Sequence, residues 1–159
     1  MCKALRDLFQ GRFLGHPIHA MLVHFPSAFF PTALLFDVAA YLLNNPLYSL
    51  ITCYLLGLGV ISGLAAAFFG AMDYVRLPPE HKAWKKASLH ALLNILWLIV
   101  FGVMLGVTLR GYPHIQIASV SQLIILALSV AGLLFSNFLG GELVFRYGVG
   151  TISNTGDQD

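Results

Sequence analysis

Two histidines stand at corresponding places in this sequence. His24 lies in the stretch Gly15-His16-Pro17-Ile18-His19-Ala20-Met21-Leu22-Val23-His24-Phe25-Pro26, and His90 ends the stretch Lys85-Lys86-Ala87-Ser88-Leu89-His90. Each sits a short way inside a long apolar run. Neutral imidazole is a good axial ligand for iron. Two such rings pointing inward from non-adjacent helices therefore predict a bis-histidine haem b site, with His24 and His90 as the ligands and Asn94 one turn beyond. Gly63, Ala66 or Ala67, and Gly70 recur at helical spacing on another apolar run, which leaves room for the edge of a macrocycle. Lys85, Lys86 or Arg76 would meet the propionates.

The same residues admit other chemistry. His24, His90, Asp73 and Glu142 all fall near one membrane face, where two imidazoles and two carboxylates would make a mononuclear zinc or iron site. They would also serve a proton relay, although no acidic residue continues that path through the middle of the membrane. Simpler roles compete. His16 and His19 are placed for solvation at the interface, and His24 and His90 for hydrogen bonds to each other, Asn94 or Ser27. Asp73–Arg76 and Glu142–Arg146 have the spacing of ion pairs on a helix. Asp37 lies toward the opposite side, within reach of Arg110 or Tyr48. Cys2 and Cys53 make neither a disulfide framework nor a metal knuckle. Gly140-Gly141-Glu142 follows an apolar helix rather than a strand, so it is no dinucleotide fingerprint. With no nucleophile–base pair or phosphate loop, the chain is not expected to be an enzyme on its own.

What must position these groups follows from composition. Of 159 residues, 58% are hydrophobic and 10% charged, too little charge to cover a water-soluble fold. A net charge of +2 offers no footprint for nucleic acid. A soluble enzyme and a disordered chain are excluded on the same grounds, leaving an integral membrane protein. Four apolar runs, Ile18–Leu43, Tyr48–Met72, Ser88–Leu109 and Gln116–Leu139, each reach the ~20 residues that cross a bilayer. They are apolar on all sides, so they are helices and not the alternating strands of a barrel. Asn44-Asn45-Pro46 and Gly111-Tyr112-Pro113 supply turns, and Pro78-Pro79 ends the second helix. Short connections predict an all-α, up-down four-helix bundle over residues 16–149, with an N-terminal arm over 1–15 and a polar tail over 150–159. The first span is expected to act as the insertion signal.

Basic residues gather on one side: Lys3, Arg6, Arg12, Arg76, Lys82, Lys85, Lys86 and Arg146, against Arg110 on the other. This bias puts both termini in the cytoplasm of a bacterial inner membrane. Gly59-x-x-x-Gly63 and Gly102-x-x-x-Gly106 would let helices approach closely, within the chain or between copies. No internal repeat is evident.

The stretch from Gly15 to Pro26 resembles the opening of the bacterial membrane family catalogued as domain of unknown function 2231, whose members start with a similar HPxLVHFP-like signature. Asp73, Leu89-His90-Ala91-Leu92-Leu93-Asn94 and Leu139-Gly140-Gly141-Glu142-Leu143-Val144-Phe145-Arg146-Tyr147-Gly148-Val149-Gly150 match as well. The resemblance implies a four-span prokaryotic membrane protein and no particular activity. Tyr147 stands where members often have histidine, so no metal role is implied there. The leading expectation is a haem b subunit for electron transfer or redox sensing. The alternatives are a structural or assembly subunit of a membrane complex, without cofactor, and a divalent-metal protein binding zinc or iron. Expected partners are the lipid bilayer and a membrane redox complex or further copies of the chain; nucleic acid is not expected.

Overall fold

A computed structural model describes residues 18–149. It is helical throughout: α1 (Ile18–Leu22), α2 (His24–Leu43), α3 (Pro46–Tyr74), α4 (Trp84–Leu109) and α5 (Val120–Tyr147). A turn at Val23 separates α1 from α2, which together make the first of four spans of 26 to 29 residues. At ~1.5 Å per residue such helices are about 40 Å long, enough to cross the ~30 Å hydrocarbon layer.

Local chemistry sets the breaks. Asn44 takes a left-handed conformation (φ 49°) that closes α2, and Asn45 caps α3 by accepting from the Leu47 amide at 3.0 Å, with Pro46 at the first helical position. This is the proline-first start expected of a helix. The fourth span, α5, begins at Val120 rather than Gln116, because Ser119 and Gln122 form a reciprocal capping box that satisfies two amides there. It also runs through Gly140-Gly141 to Tyr147 and stops at Gly148, where the Val149 amide bonds back to Leu143 at 2.9 Å. The Gly148 amide itself bonds back to Leu143 and Val144, and a left-handed glycine just past the last turn is a common helix stop.

Each span packs against its sequence neighbours, and the fourth closes on the first. The first and third spans therefore lie on a diagonal. They meet through Phe30 and Phe101, stacked at 3.7 Å and 6°, both almost fully buried beside Leu56, Leu126 and Leu133. Outside this central layer, large apolar side chains such as Leu35, Leu42, Ile61 and Phe138 face outward, as a lipid-facing surface requires. Gly59 lets the Phe30 ring sit against α3, since a Cβ there would lie 2.5 Å from Phe30 Cε1. Nothing lies within 4 Å of the corresponding position at Gly102 or Gly106, so of the two small-residue motifs only the first packs within the chain.

Candidate functional site

In the first span the histidine that turns inward is His19. Its Nδ1 lies 2.8 Å from the carbonyl oxygen of Ala66 on α3. A carbonyl only accepts, so Nδ1 carries a proton, and in the neutral ring Nε2 is then the nitrogen with the lone pair. The ring rests against Gly70, four residues beyond Ala66. A Cβ at Gly70 would stand 2.7 Å from His19 Cε1, so glycine is what allows the ring to seat.

His90 is held in the same way. Its Nδ1 donates to the carbonyl of Ser136 on α5 at 2.8 Å, and its ring rests against Gly140, where a Cβ would lie 2.8 Å from Cε1. Each helical hairpin thus contributes one imidazole, tied to the carbonyl of its second span and seated on a glycine one turn further on. Phe30 follows His19 by eleven residues, and Phe101 follows His90 by eleven. Eleven residues are about three turns, so each phenylalanine shares a helix face with its histidine. The phenylalanines stack across the diagonal, and the two imidazoles lie three turns further along the same two spans, toward the same end of the bundle.

Asn94 packs on His90. Its Nδ2 donates to the His90 carbonyl at 2.9 Å and lies 3.3 Å and 3.1 Å from the two ring nitrogens. A donor aligned with one lone pair would be much farther from the other nitrogen, so the amide braces the ring without capping Nε2 in line. Ser136 Oγ, 3.3 Å from Nδ1, adds to the same seat. Nearby, Asn137 donates to Ser27 Oγ at 2.9 Å, and Ser27 donates to the Val23 carbonyl at 2.6 Å.

The other expected residues lie elsewhere. His24 is exposed, with Nδ1 3.3 Å from the carbonyl of Met21 in its own turn. Five residues rotate a side chain by about 140°, so His19 and His24 cannot face the same way. The room at Gly63 is taken by Leu98 and Pro26, and that at Gly70 by His19. Glu142 is bound by Lys86 at 2.6 Å and Arg146 at 3.5 Å, which adds a cross-span partner to the anticipated pair with Arg146. Asp73 is half-buried near the end of α3. Among the described residues no three His, Cys, Asp or Glu side chains converge as a metal centre would need. Lys86 also lies over the Tyr147 ring at 5.5 Å, while Lys85 and Arg76 are exposed. Asp37 reaches neither Arg110 nor Tyr48 and has no hydrogen bond among the described residues. His16 lies outside the described residues.

Residues 15–153 match the family model described as "Predicted membrane protein (DUF2231)". The chain belongs to that family. No curated protein and no solved structure matches it. In this DUF2231 member four helices are long and apolar enough to cross a membrane, which fits that description, and the histidine seats add what the description lacks. Sequence reasoning missed His19, Ala66, Ser136 and Gly140 as parts of one arrangement. The available signal was the eleven-residue His–Phe interval, which occurs once in the first span and once in the third.

Proposed function

We propose that the protein is a haem b subunit for one-electron transfer or redox sensing, with His19 and His90 as the axial ligands. The observation that carries this reading is the matched seating of the two rings. In each, Nδ1–H is committed to a backbone carbonyl, which makes Nε2 the donor atom; the Asn94 amide nitrogen, 3.1 Å from that of His90, would turn aside for a ligand. Such an outer hydrogen bond fixes the tautomer and orientation of a ligating imidazole. The diagonal placement and the stacked phenylalanines three turns deeper also fit, since the latter give the site an apolar floor. Gly70 and Gly140 hold the rings against their helices, and Asn94 braces His90. A haem bound there would supply the redox chemistry. The chain would hold the iron, exclude water from the inner side, and offer Lys85 and Arg76 to the carboxylates at the rim. The basic end would face the cytoplasm of a bacterial inner membrane, where a membrane redox complex would exchange electrons with it.

The test is the absorption spectrum of protein purified from haem-supplemented cells. A Soret band with low-spin α and β bands is expected. His19→Ala and His90→Ala should each abolish the low-spin bands, and His24→Ala should leave them. Absence of a Soret band in the well-folded wild type, or its survival in both inward-histidine variants, overturns the reading.

A further inference from the structure

At the end of the bundle away from the histidines lies a cavity of about 350 Å³. Two side chains on its wall are buried yet unpaired. Asp37 is 5% exposed and has no hydrogen bond among the described residues; Ser49 is 2% exposed and its Oγ has no partner. They come from the two arms of the first hairpin, where Thr52 donates to the Ala33 carbonyl at 3.2 Å, one turn from each of them, and both line the same cavity. A buried polar group without a partner is costly and calls for an explanation such as a ligand.

The rest of the cavity says what kind of ligand. Its walls are mainly apolar, with α4 supplying Val100 and Met104. Ions are poorly served, because a hard cation needs six or more oxygens and the volume is too large for one. Water alone is poorly served as well, since most of the wall offers it no hydrogen bond. The size suits the headgroup of a small organic molecule. Ile99 and Val103 line the cavity and are 59% and 61% exposed on the outer surface of their span, so a molecule dissolved in the bilayer meets this wall from the side, while Gly111 and Gln116 border the cavity at the end of the bundle. An apolar ring bearing a hydroxyl meets these demands: the apolar walls take the ring, and a carboxylate and a serine hydroxyl together can accept from its hydroxyl and donate to that oxygen.

We propose that this cavity binds the ring of a lipid-soluble hydroquinone, with Asp37 accepting a hydrogen bond from one ring hydroxyl and Ser49 donating to that same oxygen. The site is separate from the histidine pair and does not depend on the haem reading.

The experiment is equilibrium binding of decylubiquinol and of decylubiquinone to the full chain in lipid nanodiscs, under argon, with empty nanodiscs subtracted. The wild type should bind the quinol at least tenfold more tightly than the quinone, which offers no hydroxyl. Asp37→Asn should weaken quinol binding tenfold or more, and Ser49→Ala severalfold. Val103→Trp, at the exposed rim and away from the packed core, should block binding without altering helicity, so the proposal stays testable if Asp37→Asn fails to fold. No binding by the wild type, equal binding of quinone, or unchanged binding in both Asp37→Asn and Val103→Trp overturns the proposal.

Discussion

The two ends of this bundle treat polar groups in opposite ways. At the histidine end, His19 and His90 are tied to carbonyls of neighbouring spans, Tyr74 and Ser88 share a 2.7 Å hydrogen bond, and Lys86 holds Glu142. At the other end, Asp37 and Ser49 are at least as deeply buried and have no such partners among the described residues. A polar group satisfied within the chain fixes geometry. One left unsatisfied keeps its hydrogen-bonding capacity for something that arrives later. The histidine end is therefore built to aim two nitrogens, and the Asp37 end to receive.

The comparison can be broken most forcefully at the layer that joins the ends. Phe30 is 2% exposed and stacks on Phe101. Phe30→Ala should cost about 3–5 kcal/mol, the range for emptying an aromatic core position, read as a lowered midpoint of detergent-induced unfolding. It should loosen both ends together. Loss confined to one end would mean that the stack does not couple them.

A smaller effect has opposite signs at the two ends. Asp37→Leu removes an unsatisfied buried group and should stabilise the bundle by about 1–3 kcal/mol, whereas His90→Leu loses a hydrogen bond to the Ser136 carbonyl, which keeps its intrahelical partner, and should destabilise it by about 0.5–1.5 kcal/mol. Both are measured on protein without added ligand by the same unfolding titration. Equal losses in the two variants would erase the contrast.

The smallest effect contrasts two glycines. Gly102 has open space where a Cβ would go, so Gly102→Ala should gain up to about 1 kcal/mol from helix propensity. Gly59→Ala would push a methyl into the Phe30 ring and should lose stability in the same assay.

Much of this architecture was legible in the residues. Length and hydropathy marked the spans, and Asn44-Asn45-Pro46 and Gly148 marked their ends through ordinary turn chemistry. The rotation of each span was not legible. A helix that is apolar all round carries no stripe to say which side faces inward, and so depth alone marks His24, the deeper of the two, as the inward histidine and His19 as an interfacial one. Only the contacts at Ala66 and Gly70 reverse that reading. The cavity was hidden for a related reason. Gln116 to Ala118 read as the start of the fourth helix, while Ser119 caps that helix and leaves those residues at the cavity wall.

The pairing of each imidazole with the following span of its own hairpin has a consequence for biogenesis. Neither hairpin needs the other to choose a tautomer or orient its ring. Each can be finished separately as it leaves the insertion machinery, and the later mating of halves then resembles closing a clasp whose two catches are already set. A chain severed between Pro78 and Ala83 would keep both catches.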